Sequence, residues 1–90
     1  MNKIDLSNKV AVVTGGVQGF GLAITERFLK SGAEVLIWDK DAKLLDELNL
    51  EGKLHKIVCD VTDYTSVENA TGESIKLCNK IDILVNNAGI

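Results

Sequence analysis

This sequence predicts an α/β chain built on a parallel sheet, and three observations carry that expectation. Short apolar runs alternate with amphipathic stretches along the whole length. The runs are near-continuously apolar rather than alternating, as in strands covered on both faces. The first of them, Val10-Ala11-Val12-Val13, passes directly into Thr14-Gly15-Gly16-Val17-Gln18-Gly19-Phe20-Gly21, and Leu22-Ala23-Ile24 then opens a helical pattern.

The elements follow in order. Residues 9–14 form the first strand. Over residues 19–31 the apolar Phe20, Ala23, Ile24, Phe28 and Leu29 recur at helical spacing, with Glu26, Arg27 and Lys30 on the other side. Gly32 follows as a left-handed C-cap. Residues 34–38 form the second strand around Val35-Leu36-Ile37. Residues 41–48 carry Leu44, Leu45 and Leu48 and read as a second helix with Asp41 as its N-cap. Residues 54–59 form a third strand. Asp63 opens a third helix through residue 78, Thr65 and Ser66 offering further capping oxygens and Asn79 a left-handed end. Residues 81–85 form a fourth strand.

The order β-α-β-α-β-α-β implies right-handed crossovers between parallel strands. In a Rossmann-type doubly wound sheet, here partial, the strand order would be 3-2-1-4. Strands one and four then lie side by side with crossovers leaving in opposite directions, and a crevice opens at their C-terminal ends. The glycine turn forms one lip of that crevice and Asn86-Asn87-Ala88-Gly89 the other.

Composition narrows the function. The chain has 90 residues, 46% of them apolar, and a net charge of −3 with no basic stripe. Disorder and nucleic-acid binding are therefore not expected. No run approaches the roughly 18 apolar residues of a membrane span, and the N-terminus lacks a secretory pattern. Cys59 and Cys78 sit inside apolar patterns and read as buried free thiols of a cytoplasmic protein rather than a disulfide or metal site. His55, the single histidine, has no partner nearby in sequence and reads as a strand-start residue, so no metal site is expected.

The glycine turn carries the chemistry. Gly15, Gly19 and Gly21 can adopt positive φ without a Cβ clash and admit close approach of a ligand to backbone. The unpaired N–H groups of the helix that follows face an anion, aided by the helix dipole. A dinucleotide is the expected ligand. Asp39 ends the second strand 18 residues after Gly21, where a carboxylate can accept from both ribose hydroxyls and repel a 2′-phosphate. Lys40, one position on, could partly accommodate that phosphate. Asp60-Val61 closes the third strand, either to accept from the adenine amino group and pack near the ring or merely, with Asp63, to shape a turn. The amides of Asn86 and Asn87 can tie the crevice edge to neighbouring backbone, and the small Ala88 and Gly89 leave room for a ribose.

Together these four motifs, in order and spacing, resemble the short-chain dehydrogenase/reductase family, particularly its 3-oxoacyl-carrier-protein reductase and sugar or polyol dehydrogenase subgroup. The likeness covers nearly the whole chain from Leu6 onward. It implies that Gly15, Val17, Gln18 and Phe20 line the pyrophosphate and its ribose, around the turn completed by Gly19 and Gly21. It implies that Asp39 selects NAD(H) over NADP(H), and that Asp60, Val61 and Asn87 contact the adenosine half. Phe20 stands where Ile is usual, and its ring must find room beneath the pyrophosphate. Gly72 lies inside the third helix, at a cost of about 1 kcal/mol against Ala.

In that family a Tyr, a Lys four residues later and a preceding Ser perform alcohol/carbonyl interconversion by hydride transfer. The only tyrosine, Tyr64, is followed four residues on by Glu68. No catalytic residue is therefore assigned within the chain. Residues 1–90 are expected to be the N-terminal NAD-binding half of such a domain, truncated before the catalytic half, with the full-length parent a dimer or tetramer of identical subunits. An uncovered fourth strand agrees, since about 1.5 kcal/mol of ordering entropy per residue must be offset. A free-standing, non-catalytic nucleotide-binding module is the alternative. A methyltransferase-like fold shares the glycine turn and ribose acid but explains residues 86–89 poorly.

Overall fold

The computed structural model describes residues 5–87. Its elements are β1 (Val10–Thr14), α1 (Gly19–Lys30), β2 (Glu34–Asp39), α2 (Ala42–Glu47), β3 (Leu54–Val58), α3 (Tyr64–Cys78) and β4 (Ile83–Asn86). The strands form one sheet in the order β3-β2-β1-β4, and every pairing is parallel. This is the expected order.

Burial follows from position in the sheet. All of β1 and the stretch from Val35 to Trp38 in β2 are buried, because these central strands are covered on both faces. Side-chain alternation sends Val10, Val12, Leu36, Trp38 and Ile57 to one face, where they pack with Ala70 and Cys78 of α3. Val13, Val35 and Ile37 point the other way, against Ile24, Phe28 and Leu29 of α1 and Leu44 and Leu45 of α2. Each such side chain contributes on the order of 1.5–3 kcal/mol through removal from water. Helices thus lie on both faces, with α1 and α2 opposite α3.

Helix ends obey local chemistry. The Asp41 carboxylate accepts from the Leu44 N–H and opens α2; the Asp63 carboxylate accepts from the Thr65 N–H and opens α3. Asn79 closes α3 at φ 69°, and Gly32 follows α1 at φ 92°. Ser66 differs from expectation, since its hydroxyl accepts from the Asp60 N–H at 2.9 Å and so braces the preceding turn. β4 starts at Ile83 rather than at residue 81. Asp82 exchanges two hydrogen bonds with Val10, one through its own N–H and one through its carboxylate, so a side chain replaces the ladder there.

Candidate functional site

The glycine turn joins β1 to α1 by two different uses of a missing side chain. Gly15 and Gly19 adopt positive φ, 67° and 60°, which L side chains rarely accept. Gly21 lies inside α1, and there the requirement is space, not φ. A Cβ at this position would stand 2.1 Å from the Gly15 carbonyl oxygen and 2.7 Å from Asn87 Nδ2. The expectation of positive φ at Gly21 is therefore replaced by close packing of helix against turn. Gly16 is held similarly, with Thr25 Oγ1 2.9 Å from where its Cβ would be. Thr25 is fully buried and donates to the Gly21 carbonyl at 2.9 Å. Sequence reading missed Thr25; its position four residues after Gly21, on the inward stripe of the helix, was the available signal.

The N-cap residue leaves the start of α1 without a side-chain cap. Gln18 is extended and its amide makes no capping bond, and the first turn holds no acidic residue. A helix start leaves N–H groups without intrahelical partners. Here they carry the positive end of the helix dipole to the mouth of the crevice.

The opposite lip is tied to the turn. Thr14 Oγ1 accepts from the Asn87 N–H at 2.9 Å, and Asn87 Nδ2 donates to the Gly15 carbonyl at 3.3 Å. The amide bracing expected of this segment is thus present at Asn87. Ala88 and Gly89 lie outside the described residues.

Between the lips is a crevice of about 390 Å³. Gly15, Gln18, Gly19 and Phe20 bound it on one side and Asn87 on the other, while Trp38, Asp39 and Lys40 and the segment from Cys59 to Thr62 extend it across the ends of β2 and β3. Val17 and Gly21 do not line it: Val17 is buried among the residues packed on α1 and α2, and Gly21 sits under the turn. Phe20 is 84% exposed and its ring borders the crevice without filling it. The second residue of the helix faces outward, and nothing crowds it.

Charges at the far end are placed by turns. One Asp39 oxygen accepts from the Asp41 N–H at 2.9 Å. One Asp60 oxygen accepts from both the N–H and the hydroxyl of Thr62, and these two bonds, the hydroxyl's first, hold that carboxyl below the usual carboxylate range. Asp60 therefore does shape its turn. Trp38 is 5% exposed; its indole N–H donates to Ser74 Oγ at 3.1 Å while the residue lines the crevice.

The start of α1, the Asp39 carboxylate at the end of β2 and apolar Val61, packed on the cluster that holds Trp38, thus border one crevice. The arrangement is that of a doubly wound α/β nucleotide fold, with its crevice where the strand order reverses. Comparison with known proteins agrees. A family model described as short chain dehydrogenase matches residues 9–90. The chain is 42% identical over 89 residues to the cis-2,3-dihydrobiphenyl-2,3-diol dehydrogenase of a Pseudomonas species, covering 97% of this chain and 32% of that protein. It is 40% identical over 85 residues to L-fucose dehydrogenase of Bos taurus, covering 92% and 31%. The crystal structure of 3-ketoacyl-(acyl-carrier-protein) reductase from Brucella melitensis complexed with NADH superposes with a TM-score of 0.89 at 35% identity, covering 96% of this chain and 36% of that one. Hydroxysteroid dehydrogenase from Escherichia coli gives 0.90 at 30% identity, covering 98% and 40%. The chain belongs to the short chain dehydrogenase family, whose oxidoreductases carry a nicotinamide-dinucleotide-binding Rossmann domain. It spans about a third of the length of these curated relatives, on their N-terminal part. Among the described residues no helix is long and apolar enough to cross a membrane.

Proposed function

We propose that residues 1–90 form the cofactor-binding half of an NAD(H)-dependent oxidoreductase that interconverts alcohol and carbonyl groups, the catalytic Ser, Tyr and Lys being supplied by sequence outside these residues. The observation that carries this reading is the uncapped start of α1 facing a crevice whose far end holds Asp39. A nicotinamide cofactor bound there supplies the hydride-exchanging carbon. The chain's own residues bind and orient it. The N–H groups at the start of α1, around Gly19 and Phe20, hold the diphosphate, with Gly15 and Gln18 beside it. Asp39 accepts from the adenosine ribose hydroxyls and disfavours a 2′-phosphate by like charge, against the partial offset of Lys40. Asp60 and Val61 bound the adenine, and Asn87 fixes the lip on which Ala88 and Gly89 follow. Val17 and Gly21 act from behind, by packing the turn in place.

The test uses Trp38, whose indole lies at the adenosine end. NADH should quench or shift its emission in a saturable titration. Asp39→Ala removes hydrogen bonds to a charged acceptor, worth about 1.5–3 kcal/mol, and should weaken NADH by at least roughly tenfold. NADPH should weaken less or tighten. An equal loss for both cofactors would remove the NAD(H) assignment, and unchanged emission from a folded sample at millimolar NADH would remove the binding site itself.

A further inference from the structure

At the opposite end of the sheet, three side chains of different chemistry converge. Glu34 opens β2 and His55 lies at the start of β3. Strand alternation puts both on the face that α3 covers: Glu34 is in step with Leu36 and Trp38, and His55 with Ile57. Cys78, the last residue of α3, closes over them because the inward stripe of that helix runs through Ala70, Ser74 and Cys78, all buried. His55 Nε2 and Glu34 Oε2 are 2.6 Å apart, and one donor atom from each of the three residues lies within 4.8 Å of the others.

We propose that Glu34, His55 and Cys78 form a binding site for a zinc-class divalent cation. The donor set is a carboxylate, an imidazole and a thiol, which suits zinc, cobalt or cadmium and not the all-oxygen preference of calcium or magnesium. A tetrahedral zinc centre with bonds of about 2.0–2.3 Å separates its donors by roughly 3.3–3.8 Å. The three atoms reach that spacing through small side-chain rotations, the cation parting Glu34 from His55 and drawing in Cys78. As the metal–sulfur bond forms, the thiol proton passes to solvent, and His55 ligates as the neutral ring. The Glu34 and His55 side chains are 30% and 29% exposed, which gives an entry path and leaves a fourth position for water. The C-terminal dipole of α3 favours a cation at this point, opposed in part by nearby Lys53.

The site is independent of the cofactor crevice. Glu34 and Asp39 begin and end the same strand, about 17 Å apart at the rise of an extended chain. A metal here would clamp the starts of β2 and β3 to the end of α3, and so act on stability rather than on hydride chemistry.

The chain, stripped with chelator, is titrated with cobalt and with zinc, its fold followed by circular dichroism. Expected are one metal ion per chain, a thiolate-to-cobalt charge-transfer band in the near ultraviolet, displacement of cobalt by zinc, and a zinc-dependent rise in melting temperature. Loss of an outer-shell partner alone costs about 10–100-fold in affinity. Cys78→Ser and His55→Gln should therefore each weaken zinc by at least about tenfold, with NADH affinity unchanged. A folded wild-type chain that shows no charge-transfer band at millimolar cobalt overturns the proposal. So does zinc affinity retained in the Cys78→Ser, His55→Gln double variant. Both results are read by spectroscopy or calorimetry whether or not NADH binds.

Discussion

Two glycines two residues apart at the start of α1 resist a methyl group for different reasons. A Cβ on Gly19 meets nothing within 4 Å and suffers only from φ +60°. A Cβ on Gly21 meets the Gly15 carbonyl oxygen at 2.1 Å. Gly19→Ala should therefore cost about 1–2 kcal/mol, the left-handed penalty for an L residue. Gly21→Ala should cost about 3 kcal/mol by overpacking and abolish NADH binding, because helix and turn must part. Urea denaturation of both variants, beside wild type, checks the ranking. Cys78 supplies a pH-dependent counterpart. Burial, seconded by the Glu34 carboxylate, pushes its thiol up from 9.0 to about 11. The unfolded chain ionises this thiol more readily, so the stability it confers is whole below pH 9.0 and is lost as pH rises through about 11. Cys78→Ala should flatten the fall in urea midpoint between those limits. The Glu34 carboxyl is held the other way, below its ordinary range, chiefly by the hydrogen bond with His55. At this scale sequence spacing foresaw Asn87 as a brace and Asp41 and Asp63 as caps, since each acts within a few residues or on a motif neighbour. It could not foresee that His55 meets Glu34 and Cys78, because only the sheet brings positions 34, 55 and 78 together.

Helix α3 shows how an element tolerates a poor residue when its packing lies elsewhere. Ala70, Ser74 and Cys78 face the sheet, whereas a Cβ on Gly72 would meet nothing within 4 Å. Gly72→Ala should stabilise the chain by about 1 kcal/mol, since helix propensity is gained without a clash, and thermal melting reads the gain directly. The seven elements were legible because glycine turns, capping acids and apolar periodicity mark each of them locally. Element ends were less so. Asp82 reads in sequence as one more polar residue between Ile81 and Ile83, and its carboxylate bond to the Val10 N–H, which delays β4, is a tertiary event. Ser74 and Thr25 escaped for a related reason. Each small hydroxyl sits on a buried stripe and satisfies itself on the carbonyl four residues back, at 2.7 and 2.9 Å, so it behaves as core while looking polar.

For the molecule as a whole, the sheet is covered unevenly. α1 and α2 share one face, but among the described residues α3 alone serves the other and packs over β2. Leu84 of β4 stands opposite Val12 in register, on the α3 side, and is 63% exposed. Among the described residues β4 is an edge strand, and an apolar side chain there invites pairing with another copy. We expect two copies of the chain to associate weakly through this edge; since burying one leucine is worth about 1.5–3 kcal/mol, Leu84→Lys should weaken that association by about tenfold or more. Sedimentation velocity over a concentration series measures that, with NADH affinity as the unchanged control. The contact between α1 and the Gly15 carbonyl has a further consequence at this scale. With no side chain able to wedge into that seam, the anion cradle and the helix behind it form one mechanical body. The hydrogen-bonded amide protons that tie the cradle, of Gly15 to the Trp38 carbonyl and of Asn87 to Thr14 Oγ1, should therefore exchange with solvent only in the same rare opening that frees those of α1, so the two sets would share a single protection factor instead of fraying in turn.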